Sequence, residues 1–284
     1  MTAQHPDPKK QRLRAHFRFS KVPFSKYAHA ANMFNSRGQK ALHEALVMWT
    51  DLQGIALVTG PPGVGKSISL RRFALELDDN RFYTTAFGYV PTTPNGFLRS
   101  LSRRLGLPMR QYTADLFDSV QGYLMAYQAE RGPHPLLIID DAEGLPTDVF
   151  DLLRRLTCYE LDARDRFSVL IAGTEDVLTT LQAPELTSLR SRVSYAHSLR
   201  PFGIEDARDY VKHHLLNADC DKDLFSDDAV RLLFHASKGC PRALNQLALQ
   251  TLINAAVDGR RDVDQRFVKA QIANHPLYQM QPGD

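Results

Sequence analysis

Eight residues, Gly60-Pro-Pro-Gly-Val-Gly-Lys-Ser67, have the spacing G-x-x-x-x-G-K-[ST]. Glycines let backbone N–H groups curl around a phosphate, and a following helix adds the positive end of its dipole. In such a loop Gly60, Pro61, Pro62, Gly63, Val64 and Gly65 wrap a triphosphate and Lys66 reaches its outer phosphates. Ser67, with Ile68 behind it, offers a hydroxyl to Mg2+. A second cluster lies in LLIIDDAEGLP, Leu136 to Pro146, where four apolar residues run into an acidic pair. Asp140, at the end of that apolar run, suits a second hold on the metal ion. Asp141 and Glu143 stand where a carboxylate would prepare a water for attack on phosphorus. An extended backbone would point both the same way, so the choice between them stays open.

These groups act together only if a sheet gathers their loops. GIALVTG (54–60) reads as a buried strand leading into the glycine loop and a helix through Leu77. RFYTTAF (81–87), LLIID (136–140), FSVLIAG (167–173) and RVSYAHSL (192–199) read as four more strands. Helical spacing fits 95–107, 114–130 and a segment from Pro146 to about Leu161. Strands alternating with helices predict an α/β fold with a five-stranded parallel sheet covered on both faces. After Pro201 the strand signals stop, and helices fit 205–217, 227–238, 241–257 and 264–273. The expected organisation is an N-terminal arm (1–36), an α/β core (37–200), a small all-helical domain (201–275) and a short tail (276–284). The strand at 81–87 comes between the phosphate loop and the acidic strand. Simple P-loop kinases and GTPases pair those two strands directly, so the extra strand points to the ATPase branch with a carboxylate base.

With 284 residues, 43% hydrophobic and 24% charged, the composition suits a soluble globular protein. No run approaches the roughly 20 apolar residues of a membrane span. The start, MTAQHPDPKKQRLR, lacks the apolar centre of a secretory signal. Cys158, Cys220 and Cys240 are scattered without a C-x-x-C pair, as reduced thiols of a cytoplasmic protein would be. The net charge of +3 hides an asymmetry, because residues 1–26 hold seven bases against Asp7 alone. That basic stretch reads either as a solvated tail or as a nucleic-acid arm, with Phe17, Phe19, Phe24 and Tyr27 interleaved among the bases. Phe19 and Phe24 suit a staple to the folded body better than base stacking. Adjacent His213 and His214 point in different directions on a helix, so they read as packing or surface residues and not as a metal pair.

The ordered set of motifs resembles the AAA+ ATPases of DNA transposition, the TnsC/TniB group, and their secretion relative ExeA. HFRFSKVPFSK (16–26) is similar to that group's F-G-F-x-x-x-P-F opening. LLRRLTCYELDARD (152–165) is similar to its helix after the acidic strand, with Cys158 where Asn often stands. SKGCPRALNQLAL (237–249) is similar to its G-x-P-R lid motif, and the likeness covers roughly residues 16–272. It implies a P-loop AAA+ core with a helical lid, ATP and Mg2+ as cofactors, and adenine held among arm, core and lid. Thr174 falls at the sensor-1 position, with capping of the next helix as its rival role. Arg242 falls at sensor 2. Arg190 and Arg192 fall in the zone of the arginine finger, Arg192 being preferred. Asp141 replaces the group's catalytic Glu, one methylene shorter, and the group often carries His or Gln at the place of Glu143. Slow hydrolysis, with ATP binding as the main switch, is the expectation.

Relatives in transposition assemble with ATP into rings or helical filaments on duplex DNA, meeting a transposase and a target selector. The matching DNA candidates here are Arg99, Arg103 and Arg104, the first two sharing a helical face. Their contacts would be to the DNA backbone and sequence-tolerant. An ExeA-like secretion ATPase is the second class, weighed down because the membrane span and periplasmic part of that relative have no counterpart before Asp284. A metabolite kinase would not need the G-x-P-R lid, and an initiator-type ATPase would add a winged helix after it.

Overall fold

The computed structural model describes residues 8–25, 33–88, 90–157 and 167–278. Tyr27, Cys158, the helix end expected near Leu161 and the tail beyond 278 lie outside them. The chain divides into two compact units, one of residues 39–62 and 66–199, the other of 1–38, 63–65 and 200–284.

The first unit holds one sheet of five parallel strands: β1 (Ile55–Thr59), β2 (Phe82–Phe87), β3 (His134–Ile139), β4 (Ser168–Gly173) and β5 (Val193–Ser198). Their spatial order is β2-β3-β4-β1-β5. β1, β3 and β4 are buried along their whole length, as central parallel strands must be, which is why they read as unbroken apolar runs. Edge strand β5 instead alternates half-buried and exposed residues. Helices α2 (Arg37–Leu52), α3 (Lys66–Glu76), α4 (Pro94–Arg104), α5 (Thr113–Arg131), α6 (Thr147–Thr157), α7 (Asp176–Leu181) and α8 (Thr187–Arg190) complete this unit. Trp49 of α2 is buried and its indole N–H donates to Ser194 Oγ at 3.0 Å, tying the helix to β5.

The strand order corrects one inference. In sequence β2 separates the phosphate loop from the acidic strand, but in the sheet it lies at the far edge, outside β3. The strand between β1 and β3 is β4, with Thr59 level with Gly173 and Ile139 with Ile171. The C-terminal ends of β1, β4 and β3 therefore open side by side, the usual place for ligands of a parallel sheet.

The second unit packs α1 (Pro8–Phe17), α9 (Ile204–Leu216), α10 (Asp227–Ser237), α11 (Pro241–Val257) and α12 (Gln265–Ala273) around its own core. Leu13, Phe19 and Phe24 belong to that core, so residues 12–25 are not a solvated tail. His214 is half-buried beside Phe24 and Tyr210, and its Nδ1 accepts the Phe24 N–H at 3.3 Å. Burial, with Lys21 and His213 nearby, pushes His214 down to about 3, which keeps it a neutral acceptor. No cluster of metal-ligating side chains occurs among the described residues.

Gly239 sets the junction of α10 with α11. It has φ +70°, its carbonyl accepts the Phe202 N–H at 2.9 Å, and an added Cβ would collide with the Phe202 carbonyl oxygen. Pro241 then starts α11 where its missing N–H costs nothing. Gly239→Ala meets both a left-handed backbone and a fixed main-chain atom, so it should destabilise the protein by about 1–3 kcal/mol. The check is Tm by calorimetry, with Gly259→Ala as control: that glycine shares the φ but has nothing within 4 Å of the added Cβ.

Candidate functional site

The phosphate loop leaves β1 at Thr59 and enters α3 at Lys66. Gly63 has φ +78° and Gly65 φ +113°, torsions that side-chain-bearing residues rarely adopt, so the turn depends on these glycines. Lys66 is only 7% exposed; its ammonium donates to the carbonyls of Gly60 at 2.8 Å and Pro61 at 3.2 Å. That ammonium is suited to an anion entering the cradle, and the N-terminus of α3 reinforces that preference. Ser67 opens outward and is exposed, as a hydroxyl for a metal ion would be. Gly63–Gly65 group with the helical unit. Within it the Arg242 N–H donates to the Gly63 carbonyl at 3.3 Å, and a Cβ on Gly63 would lie 2.7 Å from that of Arg242. Only glycine at 63 permits this approach.

Asp140 follows β3, its N–H bonded to Phe87 O at 3.0 Å. Its Oδ1 accepts the Asp141 N–H at 3.0 Å, which turns the chain at the strand end. Asp141 has φ +53° and ψ +44°, and a short 3-10 turn, Ala142–Gly144, follows. The backbone from 141 to 143 is therefore not extended, and the two carboxylates do not share a direction. Asp141 is exposed beside Asp140. Glu143 turns to β4: its Oε2 accepts the Thr174 N–H at 3.2 Å and would lie 2.9 Å from a Cβ on Gly173.

Thr174 ends β4 between the two loops. Its hydroxyl donates to Asp176 Oδ2 at 3.1 Å, so its side chain does not accept from α7 as an N-cap would. Asp176 and Gly173 were not singled out from sequence. The T-x-D spacing signals the first contact, while the second depends on a neighbouring strand and leaves no local trace.

The expected arginines are placed differently from one another. Arg190 is exposed, yet its guanidinium donates to Leu181 O at 3.2 Å and Thr187 Oγ1 at 3.3 Å, so it does not simply face solvent. Arg192 is half-buried just before β5. Arg99 donates to Arg110 O at 3.2 Å, and Arg104 donates to Ala86 O at 3.0 Å with its guanidinium 4.5 Å from the Phe87 ring centre. Arg103 is exposed on the last turn of α4.

The loop, the acidic strand end and the intervening β4 agree with comparison to known proteins. Residues 50–181 match the AAA domain family. The chain has an AAA+ P-loop fold with a five-stranded parallel sheet, similar to Cdc6p from Pyrobaculum aerophilum at TM-score 0.67 and 18% identity over 87% of this chain and 69% of that one. The Aeropyrum pernix ORC1 protein, solved in complex with DNA, matches at TM-score 0.64 and 17% identity over 90% of this chain and 69% of that one. In sequence the chain is similar to general secretion pathway protein A of Aeromonas hydrophila, 28% identical over 256 residues, 87% of this chain. It spans 45% of the length of that relative. No helix among the described residues is long and apolar enough to cross a membrane.

Proposed function

We propose that the protein is an ATP-dependent AAA+ regulator of DNA transposition, which self-associates on duplex target DNA and recruits or activates a transposase. The observation that carries the switch is the tip of the phosphate loop: a backbone bond and van der Waals contact tie Gly63 to Arg242, so occupancy of the loop is felt at the G-C-P-R motif. Lys66 and the loop N–H groups hold the phosphates of ATP. Ser67 and Asp140 hold Mg2+, which supplies neutralisation of charge on the phosphate oxygens. Thr174 watches the outer phosphate from between the two loops. Arg192, half-buried just before β5, is the preferred finger toward a neighbouring subunit, with Arg190 as the alternative.

DNA contact and service to a transposase follow from the motif set at 16–26, 152–165 and 237–249, and from the exposed Arg103. Arg99 and Arg104 take a lesser share, since both guanidiniums are held by backbone carbonyls. The contacts are to phosphates, so binding is sequence-tolerant. The test is a gel shift of unrelated duplexes with a non-hydrolysable ATP analogue, with electron microscopy of the same mixture. We expect rings or filaments on DNA, and a log–log salt slope whose size counts the phosphates contacted, about 0.9 each. Isolated monomers beside bare DNA would overturn the DNA half and favour a second reading. That reading is a secretion-assembly ATPase, supported by the 28% identity to general secretion pathway protein A.

A further inference from the structure

We infer that the outward side of the N-terminal segment, Arg12, Arg14, Arg18 and Lys21, is a preformed contact for the DNA phosphate backbone, separate from α4. The proposal rests on the DNA-binding reading and assigns it a second surface. Three observations carry it.

The first is a division of labour along the chain. Between residues 8 and 25 the sequence has six bases and no acid. Its apolar side chains Leu13, Phe19 and Phe24 are buried in the helical unit's core, while Arg12, Arg14, Arg18 and Lys21 are exposed; Arg14 takes a lesser share, since its Nε donates to Phe19 O at 3.3 Å. A merely solvated tail does not sort its residues in this way, and ordering before binding spares the entropy of folding onto a partner.

The second is a set of anchors that hold the bases out. The His16 ring Nε2–H donates to Arg260 O at 2.6 Å, and the Ser20 N–H to Ala218 O at 3.1 Å. The first anchor brings α1 to the turn after α11. The second docks the segment beside a loop carrying Asp219 and Asp221, so Lys21 should contribute least.

The third is a base in an unfavourable backbone conformation. The Phe19 N–H bonds to Arg14 O at 2.9 Å, a six-residue closure of the end of α1 that leaves Arg18 left-handed at φ +60°. Glycine is the ordinary occupant of that position. An exposed arginine there carries strain with no buried contact in return, the pattern of residues kept for a function. The partner is DNA and not a lipid surface, because the large apolar side chains Leu13, Phe19 and Phe24 are buried in the helical unit's core.

The experiment compares the full-length protein with Arg12→Gln/Arg18→Gly/Lys21→Gln, and with Arg18→Gly alone, on a duplex of unrelated sequence. If the inference holds, Arg18→Gly keeps Tm at or above wild type yet weakens DNA binding. The triple variant makes the log–log salt slope shallower by about 2 to 3, with ATP-analogue affinity unchanged. Equal slopes for wild type and triple variant overturn the inference while leaving the proposed function intact. Failure of the wild type to bind DNA removes both. A loss confined to binding of phosphatidylglycerol vesicles, with DNA binding unaltered, overturns it in favour of a membrane contact.

Discussion

Lys66→Ala should weaken ATP binding by about 100-fold or more and abolish every nucleotide-dependent property of the protein. Two charge-assisted hydrogen bonds to phosphate, at about 1.5–3 kcal/mol each, set that scale. The geometry also predicts an asymmetry in stability. In the structure the Lys66 ammonium is buried and donates to the carbonyls of Gly60 and Pro61. An alanine at 66 removes those two bonds and the desolvation of the cation together. The alanine variant should therefore keep a Tm close to wild type without nucleotide, and lose the rise in Tm that saturating ATP and Mg2+ give the wild type. Ligand at 100 times its Kd stabilises by about 2.7 kcal/mol, so the lost shift is measurable by calorimetry. Equal ATP-induced shifts in both proteins would show that Lys66 does not meet phosphate. Self-association read by light scattering should disappear in the same variant, which links the loop to assembly.

Much of this site is legible in sequence because it is local. The phosphate loop spans eight consecutive residues, its glycine torsions are dictated by residue type, and β1, β3 and β4 declare themselves as buried apolar runs. Even β5 shows its edge position in the alternation of VSYAHS. What stayed hidden depends on distance or on a single torsion. Neither composition nor spacing places β4 between β1 and β3, because sheet order is set by crossover connections. The left-handed turn at Asp141 reverses the expected direction of Glu143, and non-glycine residues give little warning of positive φ. The N-terminal staple, by contrast, is legible: Phe19 and Phe24 are buried in the helical unit's core as their types predict, joined there by Leu13.

From that turn at Asp141 we propose that Asp141 is the carboxylate that activates water, and the second large effect follows from it. Asp141→Asn should lower ATP turnover by about 100- to 10,000-fold, the contribution of a general base, while leaving ATP affinity near wild type. On this proposal Glu143 is a positioning residue: its carboxylate accepts the Thr174 N–H and so holds the end of β4 against the acidic turn. Glu143→Gln keeps an acceptor oxygen there and should retain turnover within a fewfold. Glu143→Ala leaves that N–H without its partner and should lower turnover by about 10-fold through displacement of Thr174. Gly173→Ala tests the same contact from the other side, since its added Cβ would meet Glu143 Oε2 at 2.9 Å and Val177 Cγ2 at 2.5 Å. It should resemble Glu143→Ala in turnover. Single-turnover assays at saturating ATP separate these outcomes from changes in binding. A Glu143→Gln variant as impaired as Asp141→Asn would exchange the two roles, making Glu143 the base and leaving Asp141 to shape the turn.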